Sequence, residues 1–353
     1  MKALLLLPKP YSQFHFGETG LDETSEILHS DTLFSALANI YEIALSGAEK
    51  FINLVNEGKV LFSSGFYVLI LGTHKIFFLP KPMCQLAVRD FTQHKKEKKI
   101  QYLSFGVYSE VLKSIEVQRV RDMTFLASSL SLLDKGRIAI IGGKFACLKE
   151  ELAGLECEEE AGFCQKVEMQ KVKVHTTEQE AKLYMETNVQ FLPIIGKNGV
   201  TAKGGFYVLL RISEEMGEND EKELLTAFRI LADEGIGGER SSGCGQFEYV
   251  EETLLEDFPK AKSSSPEYYL GLSLISPNGK EEFASAMQYE ILLRGGGTIG
   301  KFGDSEQHRK RVRLIAEGAV FKGDVKGRLV DVSPDSGNPK IYRNGKAFTV
   351  PIL

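Results

Sequence analysis

The sequence predicts an α+β fold with antiparallel sheets, organised as two tandem units. In the first unit the apolar segments run strand, helix, strands, strand, helix, strand, which is the βαββαβ order of a ferredoxin-like unit. A segment rich in serine and proline, 253–267, then separates a second unit. Each unit opens on an apolar strand and carries a glycine-rich segment, which indicates a duplicated fold. We predict units at 1–252, with an insertion at about 81–170, and at 266–353.

The first unit begins with a strand at Lys2–Leu7, because this apolar run is too short for a signal segment and is followed by Pro8. Ser30 or Asp31 is predicted to cap a helix that Gly47 ends. Strands are predicted at 60–71 and 76–79, and a helix near 123–133 within the insertion. The other elements of this unit are paired strands at 172–175 and 189–195, a buried strand at 204–211, a helix at 220–234 and a strand at 246–250.

The second unit is predicted to be rich in strands. Its first strand spans 268–275, and a short helix lies near 281–285. Further strands are expected at 287–293, 312–316, 319–321 and 329–332.

A glycine-rich loop at 235–247 is the strongest candidate for a binding site. Glycine permits positive φ and lets the backbone come close to a ligand, and the loop contains Gly235, Gly237, Gly238, Gly243 and Gly245. A row of backbone amides with Arg240, Ser241 and Ser242 among them suits a phosphate. The alternative is a structural role, in which a tight glycine turn lets the following strand pass close to its neighbour.

The order of elements around this loop argues against a nucleotide hydrolase and a nicotinamide-dependent enzyme. Both of those phosphate sites need a strand, then a glycine loop, then a helix whose N-terminus faces the phosphate. Here the helix precedes the loop and the strand follows it. The loop itself contains neither G-x-x-x-x-G-K-[ST] nor G-x-G-x-x-G.

The net charge of −5 means that any nucleic-acid site must come from local clustering of basic residues. Two segments are basic, and each is either an RNA surface or a solvated face. The segment 294–313 contains Arg294, Lys301, Arg309, Lys310, Arg311 and Arg313. The segment 89–99 contains Arg89, Lys95, Lys96, Lys98 and Lys99.

Cysteine usage and hydropathy suggest a cytoplasmic protein without a metal. The five cysteines are odd in number and scattered, which favours a reducing compartment. Cys157 and Cys164 have no second pair with which to complete a tetrahedral site, so we expect neither a metal nor a cofactor. No apolar run approaches the ~18 residues of a membrane span, and no membrane association is expected.

The connection 9–30 is long for a compact domain, and such connections are often functional. It carries His15 and His29, each of which is either a base or RNA contact, or a structural residue. Three aromatic residues in the same segment either stack on unpaired bases or pack in the core beside the first strand: Tyr11, Phe14 and Phe16.

Several motifs together resemble the RAMP superfamily of CRISPR proteins, and within it the family of the fourth Csm subunit of type III-A effector complexes. They are Leu28-His-Ser-Asp-Thr-Leu-Phe34, Gly204-Gly-Phe-Tyr-Val208, the glycine loop, Arg294-Gly-Gly296, Ala316-Glu-Gly318, Val330-Asp-Val332 and Tyr342-Arg-Asn-Gly345. The resemblance implies two RRM-like domains and a grip on the 5′ repeat-derived tag of the guide RNA. It also implies docking between the large polymerase-like subunit and the backbone RAMP subunits, with no catalysis by this subunit.

We therefore predict an RNA-binding site and no catalytic residue. Its members are Gly235, Gly237, Gly238, Arg240, Ser241, Ser242, Gly243, Gly245, His15, His29, Arg294, Gly295, Gly296, Arg309, Lys310 and Arg311. Two alternatives remain open. One is a metal-independent endoribonuclease of the same superfamily that cuts repeat RNA, with His15 or His29 as general base. The other is a protein-interaction scaffold whose glycine loops only shape an interface.

Overall fold

The computed structural model describes residues 1–17, 21–86, 94–121, 123–129, 131, 136–158, 160–174, 181–298, 307–334 and 340–353. Its helices are α1 (Ser30–Ala44), α2 (Ala48–Asn56), α3 (His94–Lys99), α4 (Phe105–Ser114), α5 (Glu218–Glu234) and α6 (Lys280–Ser285). Its strands are β1 (Lys2–Leu7), β2 (Gln13–Phe14), β3 (Val60–Phe62), β4 (Phe66–Leu71), β5 (His74–Pro80), β6 (Gln85–Leu86), β7 (Tyr102–Ser104), β8 (Ile115–Val120), β9 (Met123–Ser128), β10 (Ile138–Ile141), β11 (Phe145–Leu148), β12 (Cys164–Val174), β13 (Ala181–Phe191), β14 (Ile194–Ile195), β15 (Thr201–Ile212), β16 (Tyr249–Leu254), β17 (Tyr268–Gly271), β18 (Ala286–Gln288), β19 (Ile291–Arg294), β20 (Gly297–Thr298), β21 (Gln307–His308), β22 (Val312–Ile315), β23 (Val320–Lys322), β24 (Val330–Asp331), β25 (Tyr342–Arg343) and β26 (Thr349–Pro351).

One large sheet forms the centre of the N-terminal part. Its strands follow the order β10-β11-β7-β5-β4-β15-β1-β16, and β3 and β14 also pair with β15. The four strands β4, β15, β1 and β16 are all antiparallel to their neighbours. With α1 after β1 and α5 after β15, they have the strand order that a βαββαβ unit requires.

Strand β1 is buried on both faces, which explains its continuous apolar run. Side chains alternate across a strand, so Leu4 and Leu6 face one side while Leu5 and Leu7 face the other. Leu4 and Leu6 share a core with the apolar side of the two long helices, including Phe34 and Phe228. Leu5 and Leu7 belong to a second core that also contains Leu270, Leu272, Phe348 and Val350. The C-terminal part therefore covers the face of the central sheet that the helices leave open.

The C-terminal part has its own sheet, with strand order β18-β23-β17-β26. The chain passes from β17 through α6 to β18, and later through β23 to β26. In this sheet and among the four strands of the central unit, the strand that comes first along the chain, β17 here and β1 there, lies between the third and the fourth, and the second lies beside the third. A smaller cluster around Ile275, Ile315 and Phe321 completes its interior.

The segment 81–170 was predicted as an insertion into the first unit, and part of it belongs to the central sheet. Strands β7, β10 and β11 extend the central sheet beyond β5. The predicted helix near 123–133 was wrong over the residues described there, since β9 occupies Met123–Ser128 and pairs antiparallel with β8. Pairing with a neighbouring strand overrides a local preference of this kind.

Three smaller differences have local causes. The predicted strand at 60–71 is divided into β3 and β4. Helix α1 has His29 at its N-cap instead of Ser30 or Asp31, and no side-chain cap is formed. Ser30 is used elsewhere, because its Oγ accepts the amide of Leu274 at 3.0 Å and so ties the helix to the C-terminal part. Helix α1 ends at Ala44 with Leu45 as its C-cap, so Gly47 does not end it directly; Gly47 is instead the N-cap of α2. In the described part of the chain no helix is both long and apolar enough to cross a bilayer.

Candidate nucleic-acid interface

The glycine loop closes on itself directly after α5. Gly235 takes a φ of 79° and donates its amide to the carbonyl of Leu231 at 2.9 Å, which ends the helix. The amide of Ile236 then donates to the carbonyl of Gly245 at 3.0 Å. The two ends of the loop are therefore fixed to each other, and its middle stands out between them.

The loop is also fixed to β2 and the residue after it. Gly238 donates its amide to the carbonyl of His15 at 2.8 Å, and Gly245 donates to the carbonyl of Gln13 at 2.8 Å. Gly237 has a φ of 93°, and a Cβ at that position would lie 2.3 Å from the His15 carbonyl oxygen. This close approach of two backbones requires glycine.

Most amides of the loop thus donate to acceptors within the chain. Fewer amides than predicted are left to bind a phosphate. Three more are used inside the turn formed by residues 239–243: Ser242 and Cys244 donate to Glu239, and Gly243 donates to Arg240. The amides of Gly237, Glu239, Arg240 and Ser241 take no part in these loop and turn hydrogen bonds. We call residues 239–243 the 239–243 turn. Its Arg240, Ser241, Ser242 and Gly243 are exposed.

Both candidate histidines are buried and have hydrogen-bond partners. The Nδ1 of His15 lies 3.0 Å from the carbonyl of Thr187. His29 places Nδ1 2.8 Å from the carboxylate of Glu317 and Nε2 3.0 Å from the hydroxyl of Ser25. His15 is 3% exposed and His29 4%, so neither ring reaches a ligand on the surface. Their positions fit structural roles better than the predicted RNA contacts.

Arg294 is part of a buried ion-pair cluster, which we call the Asp31 cluster. Its Nε and Nη2 donate to the two carboxylate oxygens of Asp31 at 2.9 and 3.0 Å, and Nη2 also contacts the hydroxyl of Thr32 at 3.1 Å. Arg343 donates to the same carboxylate and to the carbonyl of Gly295. The guanidinium of Arg294 therefore joins the start of α1 to the end of β19. This placement does not suit the predicted contact with a phosphate.

The buried carboxylates of this junction stay ionised. Burial alone raises the pKa of Asp31, but the charges of Arg294 and Arg343 outweigh it and hold that pKa well below its usual value. Burial likewise raises the pKa of Glu317, yet His29 and the hydroxyl of Ser64 lower it overall. The junction of the two parts of the chain thus contains two carboxylates that stay ionised although they are out of water.

The basic segment after β21 is more open. Lys310 and Arg311 are exposed, and Arg309 is half-buried. The backbone fixes the segment on both sides, because Arg309 donates its amide to the carbonyl of Gly296 at 2.9 Å and Lys310 donates to Val332 at 3.0 Å. Two other basic residues predicted for these surfaces, Lys301 and Arg89, lie outside the described residues.

Of the three aromatic candidates for base stacking, one is accessible. Phe14 and Phe16 are buried in the core, where Phe14 contacts Phe206 with ring centroids 5.6 Å apart. Tyr11 is 62% exposed and has a φ of 67°. Only Tyr11 among these three is therefore available to a base.

A long hairpin beside the glycine loop was only partly anticipated. Strands β12 and β13 pair in register from Cys164 with Phe191 to Val174 with Ala181, and β2 pairs only with Val189 and Gln190. The segments 172–175 and 189–195 were expected to pair with each other. Residues 172–174 and 189–191 instead lie at opposite ends of this hairpin, and 194–195 form β14, which pairs with β15. Its outer part exposes Val172, Leu183 and Met185.

Sequence reasoning missed the acidic members of the junction. Asp31 was interpreted as a helix cap and Glu317 only as part of a motif. One signal for an ion pair was present in the sequence. The motif Tyr342-Arg343 held an arginine with no assigned role, and Asp31 held a negative charge that a capping role does not require.

Known proteins are similar in sequence to nearly the whole of this chain. Residues 264–352 match the family model described as the CRISPR Csm4 C-terminal domain. The protein called CRISPR system Cms protein Csm4 from Methanocaldococcus jannaschii is 29% identical, over 99% of this chain and 97% of that protein. The protein of the same name from Streptococcus thermophilus is 22% identical, over 92% of this chain and 90% of its own length.

Solved structures show the same architecture. A chain from the crystal structure of a Csm3–Csm4 subcomplex of the type III-A CRISPR-Cas interference complex is 23% identical, with a TM-score of 0.67 and 100% of both chains covered. A chain from a Csm1–Csm4 cassette in complex with cA4 is 17% identical, with a TM-score of 0.55, and covers 100% of this chain and 97% of that one. The C-terminal family model, the relatives of matching length and the shared fold agree: residues 264–352 match the Csm4 C-terminal domain family, and the whole chain is similar to Csm4 proteins of CRISPR systems.

Proposed function

We propose that this chain is a non-catalytic RNA-binding subunit of a type III-A CRISPR effector complex. It grips the 5′ tag of the guide RNA and links the large polymerase-like subunit to the backbone RAMP subunits, in the cytoplasm. Its two parts act as tandem ferredoxin-like, RRM-like domains at 1–252 and 266–353. Such complexes serve in defence against viruses and plasmids.

The 239–243 turn is the observation that supports RNA binding most directly. It presents an exposed guanidinium, two exposed hydroxyls and the amides of Arg240 and Ser241, which the loop's own turn hydrogen bonds do not use, at the tip of a loop whose base is closed. Donors held in fixed positions lose little entropy when they bind a phosphate. The exposed Lys310 and Arg311 provide further positive charge. The buried Arg294, His15 and His29 then hold the binding surfaces in place instead of touching RNA.

Two similar proteins suggest the partners. One was solved as a Csm3–Csm4 subcomplex and another as a Csm1–Csm4 cassette. We infer that this chain meets the corresponding backbone and large subunits of its own complex. Since its two parts share a continuous core through β1, we expect it to act as one rigid connector between them.

Burial of the histidines argues against the nuclease alternative. A general base must come within about 3 Å of the 2′-hydroxyl that it activates. His15 and His29 are both engaged and inaccessible. The scaffold alternative has one observation in its favour, which is the internal use of most amides of the glycine loop.

A salt titration separates the RNA-binding function from a scaffold. For single-stranded RNA, the logarithm of the binding constant falls against the logarithm of salt concentration with a slope near −0.7 per phosphate neutralised. Arg240→Ala and Lys310→Ala should each make this slope shallower by about 0.7. Arg229→Ala, which removes an exposed arginine from α5, is the matched control and should leave the slope unchanged. Unchanged slopes for both test variants would remove these residues from the site.

A further inference from the structure

Two fully buried polar side chains lie on the face of β13 that meets the glycine loop. Glu186 and Asn188 are two residues apart, so they point to the same side of the strand, and both are 0% exposed. The Oε1 of Glu186 accepts from the Nζ of Lys171 at 2.7 Å and from the Nδ2 of Asn188 at 2.7 Å. The same Nδ2 lies 3.0 Å from the Oε1 of Gln13 and 3.9 Å from the Sγ of Cys244 in the glycine loop. The two residues therefore form one hydrogen-bonded group beside the loop.

Each residue of this group also has an oxygen that no donor reaches. The Oε2 of Glu186 and the Oδ1 of Asn188 are buried and lack a hydrogen-bond partner among the described residues. Buried acceptors in native proteins almost always have a donor. Burial raises the pKa of Glu186, but the bonds from Lys171 and Asn188 lower it overall, so the carboxylate is charged and accepts only. A group that brings N–H donors would complete the arrangement.

Lys171, the ion-pair partner of Glu186, is more accessible than the two residues of this group. Its side chain is 31% exposed, whereas that of Glu186 is fully covered. A lysine has a flexible four-carbon stem and can exchange one anionic partner for another. If Lys171 moved to a phosphate, Glu186 would need new donors, because a buried carboxylate without its partner is costly. Those donors must reach a carboxylate oxygen and an amide oxygen at once, which an amino group with two N–H bonds can do.

We propose that Glu186 and Asn188 recognise the exocyclic amino group of an RNA base, while Lys171 moves to a phosphate of the same strand. This rests on the RNA-binding function proposed above and specifies how a base is selected. Cytosine presents an N4 amino group, and a carboxylate is a suitable acceptor for it. Uracil presents a carbonyl oxygen at the same ring position, which the carboxylate repels.

Oligocytidylate and oligouridylate of about eight nucleotides test the idea, a length within the site sizes typical of single-strand binders. Their rings differ in this one amino group and the neighbouring nitrogen, so stacking and phosphate contacts are matched. Binding of the labelled oligonucleotides to the full-length chain is measured by fluorescence anisotropy at one salt concentration. We expect the wild-type chain to bind oligocytidylate about tenfold more tightly.

The Glu186→Gln variant tests whether this group causes the preference for oligocytidylate. The carboxylate of Glu186 only accepts hydrogen bonds, whereas the amide of glutamine can also donate one to the uracil carbonyl. The ratio of the two affinities should fall to about one. Glu168→Gln removes an exposed carboxylate from β12 of the same hairpin and should keep the wild-type ratio. Asn188→Ala should also reduce the ratio, which provides a second variant if the first does not fold.

Oligoadenylate compared with oligomeric purine riboside, which lacks the 6-amino group, gives the same test without any protein variant. Equal affinity of the wild-type chain for both members of each pair would overturn base recognition here, and an ordered water would then satisfy the two oxygens. A preference that Glu186→Gln and Asn188→Ala both leave intact would overturn it as well. Failure of the wild-type chain to bind any of these oligonucleotides would instead refute the RNA-binding function itself.

Discussion

Replacing Asp31 by asparagine removes the negative charge from the centre of the Asp31 cluster. The Asp31 side chain is 0% exposed, and those of Arg294 and Arg343 are 8% and 5% exposed. Both guanidinium groups would remain buried and would lose the carboxylate that they share. Removing one partner of a buried ion pair costs about 3–5 kcal/mol, because the remaining charge cannot return to water. Asp31→Asn should therefore lower the free energy of unfolding by about that amount.

Thermal unfolding followed by circular dichroism measures this change. For a large chain, a loss of this size lowers Tm by on the order of 10 °C. Asp233→Asn, which changes an exposed aspartate on α5, is the matched control and should alter stability by less than about 0.5 kcal/mol. If the Tm of Asp31→Asn equals that of this control, the cluster does not hold the two parts of the chain together.

The size of the loss comes from charge imbalance, and a triple variant tests this cause. Asp31→Leu with Arg294→Met and Arg343→Met removes the carboxylate and both of its guanidinium partners together. Replacement of a whole buried ion-pair group by apolar residues is often neutral. The triple variant should recover most of the stability that Asp31→Asn loses. A further loss would show that the hydrogen bonds, including the one to Gly295, contribute more than the charges.

Two other results are expected. Asp31 has a lowered pKa in the folded chain, so its contribution to stability is complete above the ordinary carboxyl pKa of about 3.9 and is lost as pH falls toward its folded value. Unfolding measured between neutral and acid pH should show a loss in the wild-type chain that is smaller in Asp31→Asn, and parallel profiles would contradict this. Gly237→Ala should destabilise by about 1–3 kcal/mol more than Gly243→Ala, since both have positive φ but only the Cβ at Gly237 would meet backbone, 2.3 Å from the His15 carbonyl. Equal melting temperatures would mean that β2 moves to make room.

Elements with a strong local pattern were predicted correctly. The helix at 220–234 appears as α5, and Gly235 ends it, because helical periodicity and a glycine stop signal are both local properties. The first strand and the short helix near 281–285 were found for the same reason. The segment 81–170 was poorly predicted, since β7, β10 and β11 are defined by pairing with distant strands.

The sequence alone determined the class of fold, the position of the glycine loop and the family resemblance, because apolar spacing and motif order are read along the chain. It could not determine which charged residues face RNA. Arg240 and Arg294 look alike in sequence, each in a glycine-rich segment, yet one is exposed at the tip of a turn and the other lies buried against Asp31. That difference depends on which distant residues meet in the folded chain. Arg294 and Asp31 are 263 positions apart in the sequence. A charge brought out of water must have a partner, and only the tertiary structure decides whether the partner is another part of the protein or is left for a ligand.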